Sequence, residues 1–345
     1  IMLNNRVLLI VMLAAIMSLP LVLNASISEV GMLSLTIEPG ARPSGMGRAF
    51  SAVGDDAYAM WWNPGATAFN RKTQIAATHM PWLQTTDIDD MFYEYLGFNK
   101  YFDGIGNLNA HLLLLNAGSQ EQTDEHGDWL DNFTVFDFAA AVGYSYEVIP
   151  EALGVGANFK VFYSYLGPGT GGTDESKGDA LGFGFDIGAK YKNIGIKGLD
   201  GSFVIQNIGP DVTYQDPSQA DNMPITIRLG AAYTILDSPA NKLLVSGEAS
   251  KVLTEHKPLW QRFITGWGSF RDTIFGVGAE YTYLNLISLR GGYFIDDYGA
   301  IVGPSFGAGI QYAVSKHYKI NFDFGMITAG ELTDFNKVFS LGFEY

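Results

Sequence analysis

Three stretches of this 345-residue chain carry residue types that could do chemistry, and each also has a structural use. Carboxylates crowd Gln120-Glu121-Gln122-Thr123-Asp124-Glu125-His126-Gly127-Asp128-Trp129-Leu130-Asp131, and hard oxygens of this kind can hold calcium. The spacing is not that of an EF-hand, so the stretch reads as a solvated outer loop. Residues 167–179 open with Gly-Pro-Gly-Thr-Gly-Gly-Thr but lack the Gly-Lys-Ser/Thr of a phosphate loop and lie between two strands, which makes them a hairpin tip. Residues 254–271 set Trp260, Phe263, Trp267 and Phe270 among Lys257, Arg262 and Arg271. Such an aromatic and basic loop suits lipopolysaccharide or a partner protein as well as simple interfacial anchoring. No Ser, His and carboxylate are spaced so as to announce a hydrolase triad.

Composition narrows the classes further. With no Cys there is no disulfide framework, thiolate metal site or thiol nucleophile, and neither a metal nor another cofactor is expected. A formal charge of −15, without any Lys/Arg run, argues against nucleic acid. Forty-one Gly and 14% aromatic residues beside only 17% charged ones call for many turns and strands. The expectation is a protein without enzymatic activity.

The elements that would carry these stretches follow from periodicity. Residues 1–25 have Arg6, an apolar run from Val7 to Leu23, and Asn24-Ala25 before Ser26, the pattern of a cleaved signal peptide. From about residue 70 the period is two. In 181–192, Leu181, Phe183, Phe185, Ile187, Ala189 and Tyr191 share one face, and Gly182, Gly184, Asp186, Gly188, Lys190 and Lys192 the other. Runs of this type predict fourteen strands, near 73–82, 91–101, 105–117, 133–148, 153–166, 180–192, 199–208, 225–236, 242–252, 272–283, 286–296, 303–314, 318–328 and 337–345. Short connections alternate with longer ones at 118–132, 167–179 and 254–271, as in a transmembrane barrel.

The polar face of these strands is mostly Gly, Ser, Thr and Asn, which suits a lumen or an inserted plug better than bulk water. Inward charges of both signs are expected at Asp137, Asp186, Lys190, Arg228, Glu248, Glu280, Arg290, Lys319 and Asp323, paired into a network bracing the plug. Tyr163, Tyr165, Tyr233, Tyr281, Tyr283 and Trp82 suit interfacial girdles. Phe339, Leu341, Phe343 and the final Tyr345 alternate with Ser340, Gly342 and Glu344, the ending by which outer-membrane barrels present their last strand to the insertion machinery.

Residues 31–69 do not alternate. They hold Gly40-Ala41-Arg42, Gly45-Met46-Gly47-Arg48-Ala49-Phe50, Val53-Gly54-Asp55-Asp56-Ala57 and Trp62-Asn63-Pro64-Gly65-Ala66, with Asp55-Asp56 placed to cap a short helix over Ala57 to Trp61. This series resembles the PorV/PorQ outer-membrane proteins of the FadL-like barrels, whose pattern runs Gly-Ala-Arg, Gly-Met-Gly-Gly-Ala-Phe, Val-Ala-Asp-Asp-Ala, Trp-Asn-Pro-Ala-Gly. Later blocks at 204–210, 223–230 and 289–293 extend the likeness over nearly the whole mature chain. Arg48 stands where the pattern has its second Gly, and Gly65-Ala66 inverts its Ala-Gly.

The resemblance implies an all-β, fourteen-stranded outer-membrane barrel of the Gram-negative type, with a signal peptide (1–25), an N-terminal hatch inside the lumen (26–70) and the barrel (71–345). It implies a role in type IX protein secretion and cell-surface attachment of cargo. Partners would then be outer-membrane lipid and lipopolysaccharide, with secretion-system components or secreted cargo. The rival reading, from the FadL side of the resemblance, is transport of long-chain fatty acids or other hydrophobic small molecules.

Overall fold

A computed structural model describes residues 30–82, 90–124, 126–168, 178–214, 218, 220–253, 257–266, 273–297, 299–315, 317–330 and 333–345. The expected signal segment, the first residues of the expected hatch, and Trp267 and Phe270 of the aromatic loop lie outside the described residues.

Fourteen strands form one closed antiparallel ring: β1 (Gln74–Pro81), β2 (Phe92–Phe102), β3 (Gly106–Thr123), β4 (Trp129–Ile149), β5 (Leu153–Gly167), β6 (Gly178–Tyr191), β7 (Leu199–Ile208), β8 (Thr226–Asp237), β9 (Asn241–Val252), β10 (Thr273–Tyr283), β11 (Ile287–Asp296), β12 (Ile301–Ala313), β13 (Lys319–Thr328) and β14 (Phe335–Glu344). Each strand pairs with its sequence neighbours. Pairing of β1 with β14, from Gln74↔Glu344 to His79↔Phe339, closes the ring, so that the sheet has no edge strand.

Burial is inverted relative to a water-soluble sheet. On β6, Leu181 is 80% exposed, and Phe183, Phe185 and Ile187 are exposed too, whereas Asp186 is 1% exposed and Lys190 is buried. Apolar side chains outside and charged ones inside are what a barrel in lipid requires, because only the outward face meets hydrocarbon. No described helix is long and apolar enough to cross a membrane, which has no bearing on strands.

Two expectations about the strands need correction. Most of the long connection expected at 118–132 is strand: β3 and β4 stay paired as far as Thr123↔Trp129, through a bulge after Asn116. Ladder hydrogen bonds run between backbones, so a hairpin can project past the apolar band with no alternation in its side chains to announce it. Trp82, expected in a girdle, instead packs against the buried apolar cluster. Tyr281 and Tyr283 do stay exposed near the end of β10.

Residues 30–70 form a 3-10 turn (Leu33–Thr36), helix α1 (Ala41–Gly45), helix α2 (Ala59–Trp62) and a second 3-10 turn (Ala66–Phe69). Helix α1 packs on β11 to β14 and the second 3-10 turn on β3 to β6. A segment that touches strands right round the ring lies across its interior. The third helix, α3 (Leu259–Thr265), belongs to the connection between β9 and β10.

Candidate functional site

Backbone contact sets the fit between this segment and the wall. Gly47 has a φ of +62°, and a Cβ there would sit 2.3 Å from the Val277 carbonyl oxygen on β10. The wall answers with its own glycines: a Cβ on Gly278 would stand 2.2 Å from the Met46 carbonyl oxygen, and one on Gly292 2.3 Å from the Gly47 amide nitrogen. At the opposite side of the ring a Cβ on Gly65 would meet the Gly188 carbonyl oxygen at 2.5 Å. The glycine-rich inward faces are thus the surfaces on which the segment rests. Close approach to β6 explains why glycine occupies 65 in this chain.

Arg48, the departure from the Gly-Met-Gly-Gly pattern, also has a positive φ, 62°. A left-handed backbone favours glycine by roughly 1–2 kcal/mol over other L-residues. The side chain offsets that cost by pairing with Glu38, approaching Asp296 at 3.7 Å and lying 5.1 Å over the Phe294 ring.

The polar contacts between segment and wall have three arginine centres. Arg42 donates to both oxygens of Glu280 on β10 at 2.8 and 2.7 Å, and pairs with Asp55 and Asp56. Arg290 on β11 joins the same Glu280 at 2.6 Å and Asp323 on β13 at 2.6 Å. Arg228 on β8, only 3% exposed, reaches Glu38 and Glu248 at 2.9 Å each and Gln206 at 2.7 Å, under the rings of Trp61 and Trp62 at 5.1 and 5.0 Å. Glu248 in turn accepts from the Phe50 and Ser51 amides at 3.1 and 2.8 Å. Each of these three arginines therefore has counter-charges around it, the condition under which burial is tolerable.

Smaller contacts complete the ring. The Ala41 amide donates to Ser340 on β14 at 2.8 Å, the Gly47 amide to Ser305 on β12 at 2.9 Å, Lys190 on β6 to the Val53 carbonyl at 2.7 Å, and Asn158 on β5 to the Met60 carbonyl at 2.8 Å. Asn63 donates to the Ser51 and Ala189 carbonyls at 3.0 and 3.1 Å and accepts from the Gly65 amide at 2.9 Å, fixing the turn that Pro64 begins. Trp62 donates to the Pro39 carbonyl at 3.1 Å.

Asp55 and Asp56 do less capping than expected: Asp56 accepts from the Tyr58 amide at 3.0 Å, but both carboxylates serve chiefly as partners of Arg42. Burial pushes the Asp56 carboxyl up to about 6 against the pull of Arg42. For Asp55 burial also acts upward, but Arg42 outweighs it and leaves the carboxyl below the ordinary range.

Of the nine inward charges expected, seven enter ion pairs and two do not among the described residues. Asp137 keeps one buried oxygen with no partner, and Lys319 lines a polar cavity of about 340 Å³ that also touches Arg42, Glu280, Arg290 and Asp323. Sequence reasoning missed Glu38, Lys160 and Asp296. Lys160, 2.8 Å from Asp186, lies on the inward face of β5, and Asp296 on the inward face of β11 in step with Arg290 and Phe294, so both were readable from the alternation; Glu38 had no periodic signal.

The other stretches are structural where they are described. The Asp128 and His126 amides donate to Asp124 and hold its carboxyl below the usual range, tying the β3–β4 turn. In the aromatic loop, Trp260 is 63% exposed, but Phe263 packs on the buried cluster, because Arg262 is drawn inward to Asp211 and Asn222. At the last strand, Phe339, Leu341, Phe343 and Tyr345 line the outward side, with Phe343 and Tyr345 5.9 and 6.2 Å from the Tyr318 ring.

A family model described as "Type IX secretion system protein PorV" matches residues 24–258, more than half of the chain and the whole of the segment's contact motifs. The chain belongs to the PorV family. Among solved structures, this PorV-family barrel is similar to the toluene transporter TbuX of Ralstonia pickettii (TM-score 0.55, 14% identity, 89% of this chain and 97% of that one). It is also similar to the toluene transporter TodX of Pseudomonas putida (0.52, 14%, 89% and 96%) and to a FadL homologue of Pseudomonas aeruginosa (0.51, 12%, 92% and 99%). At such identities the likeness is one of fold, an outer-membrane barrel. No curated protein matches the chain.

Proposed function

We propose that this PorV-family barrel acts in type IX protein secretion and the surface attachment of cargo, with residues 30–70 as a fixed hatch. The observation that carries the reading is the fastening of that segment: Arg42 and Arg228 bridge it to β8, β9 and β10, and backbone contacts hold it against β6, β10 and β11. A lumen filled in this way offers a hydrophobic molecule no ready path, and leaves the outer rim, where Trp260 is exposed, to meet macromolecules. The chain would reach the outer membrane by way of a cleaved signal peptide, work without catalysis, and engage secretion components or cargo.

The test is deletion of the gene in its host. Cargo lost from the cell surface, with uptake of long-chain fatty acids unchanged, supports the reading. Normal surface cargo with impaired uptake would instead favour the hydrophobic-transport role.

A further inference from the structure

The outward face of this barrel meets lipid, and its central positions are held by Phe, Leu, Ile, Val, Tyr, Ala and Met on strands such as β5, β6 and β13. The seam where the ring closes differs. His79 on β1 and Glu94 on β2 face outward as a directly opposed pair, Nδ1 to Oε1 at 2.7 Å, with side chains 50% and 43% exposed. They stand level with Phe339 on β14, and each has apolar outward neighbours along its strand: Ala77 and Pro81 for His79, Phe92 and Leu96 for Glu94. On the third strand of the seam Lys337 points outward between Phe335 and Phe339, exposed and without a hydrogen bond or ion pair among the described residues. An ionisable side chain facing lipid is costly, increasingly so towards the bilayer middle, and such groups mark functional surfaces.

The backbone changes at the same place. Pairing of β1 with β14 stops at His79↔Phe339, although β1 continues to Pro81 and β14 begins at Phe335. Pro81 has no amide hydrogen to donate. A cavity of about 280 Å³ occupies the gap, with Pro81, Met326 and Phe335 on its apolar side and Asp334, Asn336 and Lys337 on its polar side.

We propose that this seam is a self-association surface, whose occupant is a second copy of the chain related by a two-fold axis. The patch carries an unpaired cation, Lys337, and a carboxylate, Glu94, one of whose oxygens is taken by His79. A two-fold sets each Lys337 against the other copy's Glu94, so that one patch supplies both halves of two reciprocal ion pairs, the self-complementarity an isologous interface needs. A uniformly anionic lipid headgroup would satisfy Lys337 but would be repelled by Glu94. Leu96 and Leu341 below the charges, with Pro81 and Phe335 above them, supply apolar contact area.

Because the chain has no Cys, introduced cysteines report contacts cleanly. Leu96→Cys, next to the patch, and Leu289→Cys on β11, both outward and exposed, are oxidised mildly in native membranes. The expected result is a covalent dimer through position 96 and not through 289. In the Leu96→Cys background, Glu94→Lys or Lys337→Glu alone should cut the dimer yield by about tenfold, and the two together should restore it. No cross-link at 96, equal cross-linking at both positions, or single swaps without effect would overturn the proposal and assign the patch to lipid or to a different protein. If the swapped variants do not reach the membrane as heat-shifted bands, the comparison of 96 with 289 in the otherwise unaltered chain decides.

Discussion

Arg228 concentrates the physics of the segment in one residue: two carboxylates, an amide side chain and two indole rings share its guanidinium, all of them buried. Its removal leaves Glu38 and Glu248 with uncompensated charge, so Arg228→Ala should cost about 3–5 kcal/mol, measured by urea unfolding of the barrel in lipid vesicles. Arg48→Gly is predicted to stay within about 1 kcal/mol of the parent in the same assay, because relief of the left-handed backbone offsets the lost pair with Glu38, which Arg228 still holds. Asp56 gives a pH test. Its folded value of about 6 lies above that of an unfolded aspartate, so the stability it contributes is present at low pH and falls as pH rises from about 4 through 6. Asp56→Asn should therefore raise the melting temperature relative to the parent at pH 8 and leave it unchanged near pH 3, below both the folded and the unfolded value; the same difference at both pH values would contradict the assignment.

At the scale of elements, the fourteen strands were legible because one property, outward apolarity at period two, is repeated in each. Legibility ended where that property ends: the polar extension of β3 and β4 is held by backbone pairing, whereas the inward side of Trp82 was readable, since it keeps the parity of the buried Ala76, Thr78 and Met80 on β1. In the segment, residue types announced tight turns, but not that the glycines of 45–47 and 65 meet glycines on the strands, since those partners lie more than a hundred residues away. Gly47→Ala tests the contact. A methyl group 2.3 Å from the Val277 oxygen must displace the segment from β10, so a protease that leaves the parent intact should cleave within residues 30–70 of the variant. Unchanged resistance would mean that the wall yields instead.

For the whole molecule, the inverted burial and the closed ring make an outer-membrane barrel, and the inward charges that sequence assigned to a bracing network are largely found in one. Which carboxylate meets which arginine was not legible, because the pairs join strands far apart in sequence through a segment without periodicity: Arg42 to Glu280, Glu38 to Arg228. If these pairs hold the segment so that it shuts the lumen, breaking them opens a conducting path. Single-channel recording in planar bilayers is the test. The parent barrel should be silent, and Arg42→Ala combined with Arg228→Ala should produce resolved conductance steps; steady conductance by the parent, or silence of the double variant when it is folded and inserted, would contradict it.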